Sequence, residues 1–400
     1  MRLIVRAVVM IVAVLVAGTL LAGPAAAEKE YKPLPAQQEK GQPVNIRIYH
    51  QPYYTQSWSS SVMKNKEFWK KYLPPGSTVT YEIALQGALA VNAIVAGKAE
   101  YGYGGDAPSV LGMTQDREKA DIRGVWVNGF SKCCHCNTMI IRADAPYQDS
   151  PEAYVKWLQG KRAGGAKASC NDRWFRQVYL KLGVTPESHV HQSFEVTRTQ
   201  FRVGRIDATG IWEPHASAIW LQDKTGRPAA TGGSFGMADL SSSFASHAFI
   251  KANPRAHVAM AKAEIESQLW LLDPKNEKEL IEFMAKETEG YSKLVLWHSM
   301  YGKLPKEVGG TDIRDYHPVR YSDEVKALFK EVSDFLWEIK VTGRPLPADA
   351  ILEQPLLQAA EELGVKLPLE GGFITARPID KSPYYDAKAL EGVPPVVKKK

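Results

Sequence analysis

Three cysteines and one histidine are crowded into a single short segment, SKCCHCNTM. Cys133, Cys134 and Cys136 surround His135, and the chain has one further cysteine, Cys170. Thiolate and imidazole groups are the ligands that zinc, copper(I) and iron–sulfur clusters prefer. The same residues could instead form disulfides, attack a substrate, or simply pack in the interior. Which chemistry applies depends on the compartment and on the elements that position the segment.

The N-terminal residues predict the compartment. Arg2 and Arg6 supply a positive segment, an apolar stretch follows, and the small residues at 25–27 (AAA) end it. This is the pattern of a secretory signal peptide, with cleavage expected before Glu28. No later stretch approaches the roughly 20 apolar residues that span a bilayer. We therefore expect residues 1–27 to be removed and the protein to be exported into a bacterial periplasm.

In an oxidising compartment the cysteines have three alternative roles. Four cysteines allow three complete pairings, for example with a Cys133–Cys136 bridge or a bridge from the cluster to Cys170. Metal or metalloid binding by thiolates and His135 is the second role, although adjacent Cys133 and Cys134 cannot ligate one ion without backbone strain. The third is nucleophilic catalysis, because a thiolate near a helix N-terminus, as predicted for Cys170, has a lowered pKa.

Charge and composition argue against nucleic-acid binding and predict the number of domains. Removing residues 1–27 deletes two arginines and no acid, so the formal net charge falls from +6 to +4. There is no basic stripe apart from the lysines at 398–400, so we expect no nucleic-acid partner. The length predicts two domains, and a hydrophobic content of 44% is ample for two cores.

Strands and helices alternate along most of the chain. VNIRIYH, STVTYEIAL, IRGVWVNGF and NTMIIRA read as strands, and ALAVNAIVAGK reads as an amphipathic helix between them. A second alternating series begins near Tyr147, HAFIKA is predicted to be a strand, and the chain is largely helical from Pro254 to about Gly364. This alternation predicts an α/β protein with two parallel-leaning sheets.

Three segments resemble a known family. QGALAVNAIVAGKAEYGYGGDAPSVLG, RTQFRVGRIDATGIWEPHAS and HAFIKANPRAHVAMAKAEIES are similar, in order and spacing, to segments of exported ABC-transporter solute-binding proteins. These belong to the nitrate/sulfonate/taurine group, which shares a superfamily with the thiamine-pyrimidine synthase-like proteins. The resemblance implies a two-lobed type II periplasmic binding protein fold with a helical C-terminal extension.

The resemblance also implies the domain boundaries. After an extended leader at 28–43, lobe I would comprise 44–143 and a helical return at 244–330. Lobe II would comprise 144–243, and a helical extension and tail would occupy 331–400. The partners implied are a small-molecule ligand and a membrane permease, with the protein acting as a monomer.

Four short loops are expected to converge on the cleft between the lobes. In open α/β sheets, ligands bind beyond the carboxyl ends of the strands, where helix N-termini present free N–H groups. The loops are HQPYYTQSW, GGDAPS, SCNDRW and IWEP. The candidate ligand-binding residues in them are Tyr53 and Tyr54; Gly105 and Asp106; Ser169, Cys170 and Asn171; and Trp212 and Glu213.

Each candidate also has an alternative role. The tyrosines could pack in a hinge or core, and Asp106 is a favoured N-cap residue. Glu213 could counter a ligand cation or form a hinge salt bridge. Arg173 could add positive charge to the site, although one turn into its helix it is expected to face solvent. A zwitterion fits such a cleft, with its acid group on the helix N-termini and its cation on Glu213 or Asp106.

The remaining histidines form no metal motif in the sequence. His189 and His191 share a face of a predicted strand, a pair that is more typical of a solvated surface than of a metal site. No GxSxG, Walker, Rossmann or HExxH pattern is present. We therefore expect a binding protein rather than an enzyme. It would need no cofactor, unless the cysteines and His135 bind a metal.

Overall fold

The computed structural model describes Leu34 and residues 41–398, arranged as two β-sheets with helices packed against them. The predicted signal peptide lies outside the described residues, as does most of the predicted leader. None of the described helices is both long enough and apolar enough to cross a membrane.

In the described part of the chain, twelve strands form the two sheets. The strands are β1 (Asn45–His50), β2 (Thr78–Ile83), β3 (Tyr101–Gly105), β4 (Ile122–Ser131), β5 (Thr138–Arg142), β6 (Arg162–Gly165), β7 (Ser188–His191), β8 (Ala208–Ile211), β9 (Gly226–Thr231), β10 (Asp239–Ser246), β11 (Ile313–Tyr316) and β12 (Phe373–Thr375). The larger sheet, of lobe I, has the order β12-β11-β4-β10-β3-β1-β2, and the smaller sheet, of lobe II, has the order β7-β6-β8-β5-β9. Both are mixed, because β10 is antiparallel to its neighbours β3 and β4, and β5 is antiparallel to β8 and β9.

Fourteen α-helices within residues 41–398 connect and cover the strands. They are α1 (Trp58–Lys66), α2 (Gly87–Val95), α3 (Asp106–Met113), α4 (Pro151–Trp157), α5 (Cys170–Leu182), α6 (Phe194–Arg202), α7 (His215–Ser217), α8 (Gly232–Phe235), α9 (His247–Ala252), α10 (Pro254–Leu272), α11 (Glu277–Glu287), α12 (Lys293–Tyr301), α13 (Asp323–Glu338) and α14 (Gln354–Leu363). Two of these helices begin with a serine cap: Ser150 Oγ accepts the N–H of Ala153, and Ser169 Oγ accepts the N–H of Asp172.

The lobe boundaries differ from the predicted ones. Strand β5 was expected in lobe I, but it pairs with β8 and β9 in the smaller sheet, so the chain crosses between lobes at 132–137 rather than at 143. Strand β10 belongs to the larger sheet, so the chain also returns to lobe I before residue 244. A periodic apolar pattern locates a strand but does not say with which sheet it pairs.

The predicted strand HAFIKA is wrong, because these residues form helix α9. The strand is the preceding segment, β10, whose sequence DLSSSFAS contains three consecutive serines. All three serines are buried, and their hydroxyls have polar partners: Ser241 with Ser57, Ser242 with Ser109, and Ser243 with Asn128. A central strand can carry such polar residues when every hydroxyl is hydrogen-bonded.

The C-terminal part completes lobe I and then reaches lobe II. Helix α10 is buried along nearly its whole length against α1 and α14, and it forms the centre of the lobe I core. Strands β11 and β12 extend the larger sheet at its edge. Beyond β12 the chain contacts lobe II, where Pro394 O accepts from Trp220 Nε1 and Pro395 O accepts from Tyr147 Oη, each at 2.9 Å.

Candidate functional site

A small cavity lies between the two lobes, at the carboxyl ends of β3 and β6. Its volume is about 20 Å³, which is roughly the space that one water molecule needs. Lobe I contributes residues before α1, at the start of α2 and around the start of α3, and lobe II contributes the loop before α5. The lining residues are Gln51, Tyr54, Gln86, Gly87, Ala88, Gly105, Pro108, Cys136, Lys167, Ala168, Ser169, Cys170 and Trp212.

Five of the nine predicted ligand-binding residues line this cavity. They are Tyr54, Gly105, Ser169, Cys170 and Trp212, and they come from all four predicted loops. Gly105 allows close approach of the lobes, because a Cβ atom built on it would lie 3.0 Å from Cys170 Sγ. The four loops thus converge between the lobes, as the sequence predicts.

Asp106 does not line the cavity, because it is fully buried in an ion pair with Arg173. The Arg173 Nη2 atom lies 3.0 Å from Asp106 Oδ2, and both side chains have no exposed surface. Burial raises the pKa of Asp106, and the neighbouring Arg173 opposes that rise. Since Asp106 begins α3 in lobe I and Arg173 lies on α5 in lobe II, this ion pair joins the lobes. The expectation that Arg173 faces solvent is wrong.

Glu213 is also paired with an arginine inside the protein. Its Oε1 atom lies 2.7 Å from Arg314 Nη2, and its carboxylate also accepts hydrogen bonds from the backbone and side chain of Ser217. Burial raises the pKa of Glu213, and Arg314 again opposes that rise. Arg314 lies on β11 of lobe I, so this is a second buried ion pair between the lobes. It matches the salt-bridge alternative for Glu213 rather than the ligand-cation one.

The last two predicted residues lie beside the cavity. Asn171 is buried, and its Nδ2 donates to Cys136 O at 2.9 Å, which ties α5 to the crossover segment. Tyr53 lines a separate outer pocket together with Phe194 and Tyr291. Its backbone carbonyl accepts from Trp212 Nε1 at 2.9 Å, a further contact between the lobes.

The four cysteines form two disulfides. Cys133 pairs with its neighbour Cys134, with Cα atoms 3.6 Å apart, and Cys136 pairs with Cys170, with Cα atoms 6.2 Å apart. The second bridge connects the crossover segment to the first residue of α5 and lines the cavity. The first bridge lies away from the cavity, packed against Leu304, Val308 and Val396.

His135 is fully buried beside the adjacent-cysteine disulfide. Burial lowers the pKa of His135 well below its ordinary value, so the ring is neutral. Arg314 Nη1 donates to Cys134 Sγ at 2.8 Å and thus links this segment to the ion pair with Glu213. In the disulfide-bonded form none of the four sulfurs is a thiolate, so metal binding by the cluster stays a prediction for the reduced protein.

Lys167 is a cavity residue that the sequence reasoning missed. Among the described residues that line the cavity, it carries the only charged side chain, and it is exposed. It lies in the loop before α5, two residues before the predicted cleft loop SCNDRW, and this closeness was the available signal. A cation at this place can attract an anionic solute to the mouth of the cleft.

Two further carboxyl groups are buried near the crossover segment. Asp239 Oδ2 accepts the N–H groups of Cys136 and Asn137, and burial raises the pKa of Asp239 to about 7. Asp315 Oδ1 accepts from Gln56 Nε2 at 3.0 Å, and burial raises the pKa of Asp315 to about 8. At pH 7 Asp315 is therefore mostly protonated in the folded protein, and Asp239 is about half protonated.

The raised pKa values of Asp239 and Asp315 predict how the free energy of unfolding changes as the pH becomes alkaline. In the unfolded chain an aspartate titrates near pH 4, so above pH 4 the folded state binds more protons and stability falls as the pH rises toward 8. We expect the free energy of unfolding to fall by about 2–2.5 kcal/mol between pH 6.5 and 8. Asp315→Asn should remove about two thirds of that fall in urea titrations. Buried histidines act in the opposite direction, but only below about pH 6.5.

Asp312→Asn is the matched control for that measurement. Asp312 is exposed, and its pKa is lowered by the neighbouring Lys303, so it is ionised throughout this range. Its substitution should leave the slope unchanged. An equal slope in wild type and Asp315→Asn would show that Asp315 does not hold its proton.

Comparison with known proteins places the chain in a family. Residues 53–285, more than half of the chain, match the NMT1-like family, and the chain therefore belongs to it. No curated protein sequence matches the chain. Its two-lobed α/β fold is that of the periplasmic binding proteins, which confirms the predicted fold class.

Three solved structures illustrate the likeness. The alkanesulfonate-binding protein SsuA from Xanthomonas axonopodis pv. citri, bound to MOPS, has a TM-score of 0.62 and 19% identity over 78% of this chain and 99% of that chain. The periplasmic nitrate-binding protein NrtA from Synechocystis PCC 6803 has a TM-score of 0.63 and 14% identity over 81% and 90%. The desulfurization enzyme DSZB has a TM-score of 0.57 and 15% identity over 80% and 99%.

Proposed function

We propose that this protein is the periplasmic solute-binding component of an ABC importer and captures a small anion between its lobes. Family membership and the fold support the assignment. The observation that carries it is the convergence of loops from both lobes on one cavity at the carboxyl ends of the strands. The solute would then be passed to a membrane permease.

The cavity of about 20 Å³ is too small for a sulfonate or a nitrate ion. Solute entry therefore requires the lobes to separate, which breaks the Asp106–Arg173 and Glu213–Arg314 ion pairs and hydrates their charges. A solute that binds more tightly when the lobes enclose it shifts the equilibrium toward closure. Hinge motion is thus part of the proposal.

The charges of the site favour an anion over a zwitterion. Lys167 supplies a cation at the cavity, and the loop it belongs to leads into the N-terminus of α5, which attracts negative charge. The two carboxylates considered for a ligand cation, Asp106 and Glu213, are paired with arginines in this structure. A cationic group on the solute would have to displace one of those arginines.

Calorimetric titration with alkanesulfonates and nitrate, and with zwitterionic taurine for comparison, tests this function. At least one of these anions should bind, and Lys167→Met should weaken that binding by at least about tenfold, since a hydrogen bond to a charged group contributes about 1.5–3 kcal/mol. Lys181→Met is the control. Lys181 is also an exposed lysine, but it lies in the last turn of α5, at the opposite end of the helix from the loop that contains Lys167. No binding of any anion, or equal affinities in both variants, would contradict the proposal.

An enzymatic role is the alternative that DSZB raises, since that protein shares the fold. Cys170 is the residue through which the sequence would support it. In this structure Cys170 is bonded to Cys136 and is not a free nucleophile. Turnover of a sulfinate by the reduced protein, lost in Cys170→Ser while binding is retained, would favour the enzyme.

A further inference from the structure

Asp172, His189 and His191 lie together in lobe II, beside the loop that lines the cleft. Asp172 is in the first turn of α5, and the two histidines alternate along β7, the edge strand of the smaller sheet. Residues two apart on a strand project from the same face. One nitrogen or oxygen from each of the three side chains lies within 4.8 Å of the other two.

We propose that these three side chains bind a divalent transition metal of the zinc class. Two imidazoles and one carboxylate are a common ligand set for zinc and other borderline metals, and they leave coordination positions open to water. Calcium and magnesium prefer all-oxygen sites and are poorly matched to this one. The sequence shows the histidine pair on a shared face but not the carboxylate that completes it.

The environment of the His189 side chain supports the proposed metal site. Its Nε2 atom is buried and has no hydrogen-bond partner among the described residues. A buried polar atom without a partner costs about 1–3 kcal/mol, and such atoms are rare in folded proteins. A metal ion bound at Nε2 would remove this cost.

A cationic side chain now occupies the same place. Arg176 Nε donates to Asp172 Oδ1 at 3.1 Å, and Arg176 Nη2 lies 3.4 Å from His191 Nε2. The guanidinium thus bridges two of the three proposed ligands in this structure. The Arg176 side chain is 38% exposed, so it can turn to solvent when a metal ion replaces it.

Small movements suffice to form the site. Tetrahedral zinc with bonds of about 2.1 Å sets its ligand atoms about 3.4 Å apart. The His191 Nδ1 atom lies 3.9 Å from Asp172 Oδ1 now, and the His191 side chain is 29% exposed and has room to move. The other carboxylate oxygen, Asp172 Oδ2, accepts the N–H of Ala168 at 2.9 Å. Since Ala168 lines the cleft cavity, a metal held here would share Asp172 with the cleft wall.

Zinc titration of the untagged, disulfide-bonded chain tests the site. Calorimetry should show one Zn²⁺ ion per chain, and His191→Gln should weaken the affinity by at least about tenfold, since even outer-shell partners of a metal contribute 10–100-fold. His247→Gln is the matched control, because His247 is a partly exposed histidine whose Nδ1 lies 2.7 Å from Asp121. It should bind zinc as the wild type does.

Two further readouts separate this site from the cysteines. Arg176→Gln removes the competing guanidinium and should tighten zinc binding, an effect that a purely structural role of Arg176 would not produce. Cobalt-substituted protein should show a spectrum of nitrogen and oxygen ligands. Equal zinc affinity in wild type and His191→Gln, or a sulfur-to-cobalt charge-transfer band, would overturn the proposal. Neither result bears on solute binding, which rests on other residues.

Discussion

Arg173→Met should lower the free energy of unfolding by about 3–5 kcal/mol. The substitution leaves the Asp106 carboxylate buried at the lobe boundary without its counter-charge, and no exposed surface is available to hydrate it. It also removes the hydrogen bond from Arg173 to the Ala238 carbonyl, which accepts at 3.2 Å. Urea unfolding at neutral pH measures the loss.

Arg176→Met is the matched control for this experiment. Arg176 is on the same helix and also pairs with an aspartate, Asp172, but its side chain is 38% exposed. An ion pair of this kind contributes about 1 kcal/mol or less. The double variant Asp106→Asn, Arg173→Met should recover part of the loss, because it leaves no uncompensated charge. Equal losses in Arg173→Met and Arg176→Met would show that the interlobe pair is hydrated.

Removing the Cys136–Cys170 disulfide should cost about 3–4 kcal/mol. The bridge closes a loop whose ends are 34 residues apart, so it removes many conformations from the unfolded chain. Unfolding of the Cys136→Ser, Cys170→Ser variant measures this effect. The bridge also holds α5 against the crossover segment, so solute affinity should fall together with stability.

The other disulfide provides the control. Cys133 and Cys134 are adjacent in the chain, so their bridge closes almost no loop and restricts the unfolded chain very little. The Cys133→Ser, Cys134→Ser variant should lose much less stability than the Cys136→Ser, Cys170→Ser variant. Similar losses in the two double variants would show that loop closure is not the origin of the stabilisation.

The sequence predicted the fold class because its signals are local. Alternating apolar residues marked β1, whose burial alternates in the structure. Strand pairing is a long-range property, so β5 was placed in the wrong lobe. Buried serines resemble a loop in sequence, so β10 was missed and α9 was taken for the strand.

The convergence of the four loops was predicted, but the pairing of the charges beside them was not. The loops containing Tyr54, Gly105 and Trp212 converge as expected, since the carboxyl ends of strands are a topological property. Which carboxylate meets which arginine depends on contacts between residues far apart in the chain. Asp106 and Arg173 are 67 residues apart, so no local pattern could show their pairing.

The most direct test of solute capture is a crystal structure of the protein with the tightest-binding anion of the titration series. We expect the anion between the lobes, with its oxygens within hydrogen-bonding distance of Lys167 Nζ and the N-terminus of α5. The cavity there should be several times larger than the present 20 Å³. An anion bound on an outer surface, with the cavity between the lobes unchanged, would contradict the proposed function.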